Sequence, residues 1–103
     1  MGGVKASQER EIMKLFKLYV GHNNKTKKRF KEDVLRFLIS KYFEGFTIIR
    51  TNGVWKETAE ESYIIELITD EAEKVKKLKV DLLTKLNQES ILVTRTNLNA
   101  IEF

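Results

Sequence analysis

The sequence predicts an α+β fold of the ferredoxin-like kind. Four strands and two helices run in the order βαββαβ, as a four-stranded antiparallel sheet with both helices on one face. Two observations predict it. Four segments are β-rich or alternate apolar and polar residues, and two segments repeat apolar residues at helical spacing, in that order along the chain. Almost nothing is left over: 103 residues make one domain, without proline, repeats or a low-complexity stretch.

Residues 1–12 are small, polar and charged, and read as a loosely ordered leader; residues 13–103 make the single domain. Lys14 to Val20 is the first strand, with Phe16, Leu18 and Val20 on one face and Leu15, Lys17 and Tyr19 on the other. Gly21-His22-Asn23-Asn24 is turn chemistry, and Asn24 or Thr26 is placed to cap a helix. That helix is expected from about Lys27 to Tyr42, burying Phe30, Val34, Phe37, Leu38 and Tyr42, with Gly45 in the left-handed position after it.

Phe46 to Thr51 is the second strand. Asn52-Gly53 is a turn signal, yet Val54-Trp55-Lys56 continues the pattern, so Gly53 reads as a bulge or the start of a twisted extension. Residues 57–61 would be the hairpin connection. Ser62 to Ile68 is the third strand and central, being apolar on both faces apart from Glu66. Asp70 to Glu73 has capping-box spacing, and Val75, Leu78, Leu82, Leu83 and Leu86 form the stripe of the second helix, which Asn87-Gln88 closes. Ile91 to Thr96 is the fourth strand. Leu98, Ile101 and Phe103 make the tail too apolar to stay solvated.

The chain has no cysteine, which excludes disulfides and thiolate metal sites. Ligand pairs at coordination spacing are absent, so no metal and no cofactor are expected. No run nears the roughly 18 apolar residues of a membrane helix, and the N-terminus has no signal-peptide core, so a cytoplasmic protein off the membrane is expected. The net charge of +4 favours anionic partners. It falls short of a duplex-binding stripe, and the aromatic consensus of a single-strand RNA binder is missing, which disfavours a nucleic-acid polymer.

The open sheet face would carry Leu15 or Tyr19, Ile49 and part of the third strand's apolar set. That predicts a homo-oligomer, dimer or higher.

Three elements suggest a family. They are Phe43-Glu44-Gly45-Phe46-Thr47-Ile48, Gly53-Val54-Trp55 and Gln88-Glu89-Ser90-Ile91-Leu92. With them the chain resembles, over about residues 14–95, a small bacterial and phage family of unknown function. In size, style and its basic, Asn-rich first loop it is more loosely similar to phage anti-defence sponges of the anti-Thoeris type, which sequester nucleotide signals. That similarity implies a non-enzymatic binding protein holding an anionic nucleotide-like molecule in clefts of a homo-oligomer.

The residues themselves offer a candidate site. Asn23, Asn24, Lys25, Lys27 and Lys28 join a strand end to a helix start, a natural anion site. Trp55 or Tyr19 could cover a base, Arg50, Asn52 and Lys56 flank Trp55, and Gln88 and Arg95 could contact the ligand. No catalytic residue stands out, since the lone His22 has no evident nucleophile or orienting acid. Two other readings stay open: a protein-interaction module using the apolar sheet face, and a small dimeric ferredoxin-like enzyme.

Overall fold

A computed structural model of the chain describes residues 13–98, apart from the Trp55 side chain. The leader and the tail residues Ile101 and Phe103 lie outside the described residues. The order is β1 (Lys14–Val20), α1 (Glu32–Ser40), β2 (Thr47–Trp55), β3 (Thr58–Thr69), α2 (Ala72–Lys85) and β4 (Leu92–Asn97). The sheet order is β2-β3-β1-β4 and every pairing is antiparallel, which is the expected ferredoxin-like arrangement. No helix among the described residues is long and apolar enough to cross a membrane.

Alternation sorts the sheet into two faces. Phe16, Leu18 and Val20 of β1 and Tyr63, Ile65 and Leu67 of β3 are buried beneath the helices. Above them lie Val75, Leu78 and Leu82 of α2, as the spacing predicts, and Leu35, Leu38 and Ile39 of α1. The other face carries Leu15, Lys17 and Tyr19 beside their partners Ile68, Glu66 and Ile64. Lys17 and Glu66 form a cross-strand ion pair at 3.9 Å in the middle of it. Ile49, Ile68 and Leu92 on this face are exposed.

The first helix departs from expectation in its start and its phase. It begins at Glu32, because residues 23–28 close a turn of their own. The Asn23 side chain accepts from the backbone N–H of Lys25 at 2.8 Å and of Thr26 at 3.3 Å. Lys27 then takes a left-handed φ of 63°, which no α-helix contains. Neither expected cap serves α1: Asn24 donates to the Asn87 carbonyl, the Thr26 hydroxyl accepts from Lys28 N–H, and Lys31, at the N-cap, makes no side-chain cap bond. Val34 and Phe37, expected inside, are exposed, and Lys41 lies 5.2 Å from the Phe37 ring centre. Residues 34–39 are apolar at every position but one, so the period alone leaves the buried face undetermined.

The hairpin is also displaced. Residues 52 and 53 continue β2 in unbroken register, Gly53 opposite Glu60, with no bulge. The turn falls at Lys56-Glu57, with φ of 49° and 65°, the left-handed pair of a tight two-residue hairpin. A turn at Asn52-Gly53 would bring the apolar run from Tyr63 opposite residues of α1, leaving β2 without its long partner. Residues 58–61 are therefore strand, and from Ser62 outward the hairpin overhangs the end of β1. No described glycine has a positive φ, so Gly45 does not act as a left-handed cap. At α2 the capping box is absent: the Thr69 hydroxyl accepts from Glu71 N–H at 3.1 Å.

Two phenols tie these layers together. Tyr63 donates to the Phe30 carbonyl at 2.6 Å, and Tyr42 to Asp81 at 2.8 Å, joining the end of α1 to α2. Burial raises the Tyr63 phenol above its ordinary value near 10, and the bond to Asp81 raises that of Tyr42. Both keep their protons longer in the folded chain than in the unfolded one. Their stabilisation is complete below about pH 10 and is lost as pH rises through the folded values. Tyr63→Phe is expected to cost about 1–2 kcal/mol, through the carbonyl it leaves unpaired, and to flatten the alkaline loss of stability. Urea denaturation at a series of alkaline pH values checks both.

Candidate small-molecule cleft

The open face deepens into a cleft of about 650 Å³ where the overhanging hairpin stands beside the end of β1. Tyr19, Ile64 and Leu92 line it from the sheet, and Thr51, Gly53, Glu60 and Ser62 from the hairpin. The hydroxyls of Thr51 and Ser62 are 2.8 Å apart. A smaller recess of about 240 Å³ adjoins it, lined by His22, Asn24 and Glu89 and sharing Gly21, Glu60, Gln88 and Ser90.

Glu60 stands at this junction. Its carboxylate is 3.9 Å from His22 Nε2, while His22 Nδ1 is buried with no hydrogen-bond partner among the described residues. Gly53 opposite Glu60 has open space where a Cβ would stand, so a side chain there would project into space beside the carboxylate.

Gln88 builds the closed end of the cleft. Its Oε1 accepts from Gly21 N–H at 3.2 Å and its Nε2 donates to the His22 carbonyl at 3.0 Å. A Cβ on Gly21 would lie 3.2 Å from that Oε1, so glycine lets the amide come close. The Asn24 amide adds a second tie, donating to the Asn87 carbonyl at 3.0 Å. Gln88 and Asn24 thus fasten the loop before β4 to the exit of β1, and both ends of the Gln88 amide are in use.

The expected site residues do not meet in one place. Tyr19 and Gln88 line the cleft, and Asn52 reaches its wall, although its side-chain oxygen accepts from Arg29 at 3.3 Å. Asn23 is spent on its own turn, and Lys25, Lys27 and Lys28 are exposed on that loop. Arg50 lies opposite Tyr63 on the helix side of edge strand β2, and Arg95 opposite Phe16 on the same side of edge strand β4. Two strands separate them, so they cannot share one small ligand within a chain. Glu66 points to the open face, away from Arg95, and its partner there is Lys17. Lys56 is in the hairpin turn, and the Trp55 side chain lies outside the described residues.

The polar cleft residues that sequence reasoning missed are Glu60, Ser62 and Thr51. The signal for them was the hairpin register: a turn centred on residues 56 and 57 puts 51, 53, 60 and 62 on the face of Tyr19. No lysine or arginine lines the cleft among the described residues, and its one fixed charge is Glu60.

This chain is similar in fold to a phage SAM lyase. That structure, solved in the apo state, superposes with a TM-score of 0.67 at 22% sequence identity, over 84% of this chain and 81% of the lyase. At that identity the likeness to the SAM lyase shows the fold. No family model matches the chain, and no curated protein does, so neither comparison supports the family of unknown function suggested by the Gly-x-Trp and Gln-Glu-Ser elements. Among the described residues no cluster of histidine and acidic side chains could hold a metal.

Proposed function

We propose that the chain binds S-adenosylmethionine, or a close sulfonium nucleoside, in the open-face cleft and cleaves it as a lyase, working as a homo-oligomer. The observation that supports this best is the charge of the cleft. A carboxylate and a phenol ring face a space without lysine or arginine. A sulfonium is a cation, and both a carboxylate and an aromatic face attract it. An anionic nucleotide, the ligand expected from the sequence, would want the opposite lining.

The volume falls within the roughly 300–1,000 Å³ of small-molecule sites. Ile64 and Leu92 offer an apolar floor for a base, and the Thr51 and Ser62 hydroxyls offer partners for a ribose. Glu60 would hold the sulfonium. In the reaction a carbon–sulfur bond breaks, its electron pair leaves on sulfur, and the sulfonium becomes a neutral thioether. The substrate's own carboxylate oxygen bonds to that carbon as the sulfur leaves, closing a lactone without water, which is what makes the step a lyase reaction. The likeness to the SAM lyase supports this choice of substrate.

Incubation with S-adenosylmethionine, followed by chromatography and mass spectrometry, tests the proposal. A thioether nucleoside should appear in excess over protein. Glu60→Gln should weaken binding about tenfold or more, a loss of about 1.4 kcal/mol of attraction. Substrate bound but recovered intact would replace the lyase by a sequestering binder. No binding by thermal shift would remove the proposal.

A further inference from the structure

We infer that the chain has a second binding site, on the helix side of β2, which takes consecutive phosphate groups. A groove of about 440 Å³ lies at the start of α1, between that helix and β2. Arg29, Lys31, Arg36 and Arg50 line it, against the carboxylates of Glu32 and Asp33. It is separate from the cleft, lying across the sheet from it.

Three features make this groove more than a solvated basic patch. Arg36 and Arg50 converge on one carboxylate, Glu32, at 3.1 and 3.8 Å. Arg36 also reaches Asp33, at 3.7 Å, and Lys31 is not paired with either acid, so positive charge is left over. The residues leading in, Lys25 to Lys31, hold five cations and no acid, on a segment held by the bond from Asn23 N–H to the Lys28 carbonyl at 2.8 Å. The N-cap of α1 makes no side-chain bond, which leaves first-turn N–H groups for an anion.

On α2 the pattern differs: Lys74 and Lys76 each pair with a glutamate of their own three residues away, whereas Arg36 and Arg50 share Glu32. Arginine forks suit phosphate oxygens, and several cations around one groove suit several phosphates rather than one. An oligophosphate and a nucleic-acid backbone share that chemistry.

Calorimetric titration with inorganic tripolyphosphate and anisotropy of a fluorescein-labelled oligo-dT test the site at two salt concentrations. Tripolyphosphate should bind, and the double variant R36A/R50A should weaken it tenfold or more. K77A/K85A removes the same charge from exposed positions of α2 and should change affinity by less than threefold. Oligo-dT displaced by tripolyphosphate would make a nucleic-acid strand the occupant, and oligo-dT that fails to bind would make it a free oligophosphate. R36Q/R50Q repeats the test if the alanine variant melts early without ligand. No heat at about 1 mM tripolyphosphate in low salt, or equal losses in the α2 control, overturns the inference. Neither outcome touches the cleft, which is assayed with S-adenosylmethionine.

Discussion

Arg29→Ala lowers the melting temperature by about 10 °C or more. The Arg29 guanidinium donates to the Thr51 carbonyl at 3.0 Å, the Ser62 carbonyl at 3.2 Å and Asn52 Oδ1 at 3.3 Å. Thr51 and Ser62 are cross-strand partners, so one side chain clamps both strands of the hairpin where it leaves the support of β1. The guanidinium also lies 5.6 Å from the Tyr63 ring centre. Hydrogen bonds from a charged group contribute about 1.5–3 kcal/mol, and each kcal/mol shifts melting by about 4–8 °C in a domain near this size. Arg29→Lys should recover little, because an ammonium cannot reproduce the planar fork. Thermal melting by circular dichroism checks both, and a loss of only a degree or two would show that the clamp is idle.

The second large effect concerns assembly. Wild-type protein should sediment well above 12.1 kDa, the mass of one chain. Ile49 and Ile68 are exposed on the open face, with Leu15 and Ile64 half-buried beside them. An apolar surface of this kind is most simply covered by another copy. Ile49→Glu with Ile68→Glu would force carboxylates into such an interface, and desolvating them costs several kcal/mol each. The double variant should sediment as a folded monomer at tens of micromolar. A wild-type monomer at that concentration would remove the oligomer.

The element order, the central place of β3 and the core face of α2 were legible because each rests on a strong local pattern. Ser62 to Ile68 is apolar on both faces apart from Glu66, and Val75, Leu78 and Leu82 repeat at helical spacing. Two errors hid the site. Reading 27–31 as helix put Arg29 on a helix instead of beneath the hairpin; the side-chain turn at Asn23 decides otherwise. Taking 57–61 as loop gave Glu60 no strand partner, although the pairing of Thr47 with Glu66 fixes it opposite Gly53. In both cases a distant contact set the register, and local chemistry pointed elsewhere. The basic residues were easy to see, but within one chain Arg50 and Arg95 lie on opposite edges of the sheet, because alternation gives a residue's face and only the strand order gives its neighbours.

The tip of the hairpin is closed by two residues, Lys56 and Glu57, that each adopt a backbone conformation glycine or asparagine would enter more readily. Such a tip is a poor nucleus, so the hairpin zips from its sheet-bound root outward and unzips in the reverse order. The wall of the cleft is made from that outer, late-zipping stretch, and its floor from the strands that open only with the whole domain. Fraying of the hairpin would therefore open the wall of the cleft while the core stays closed.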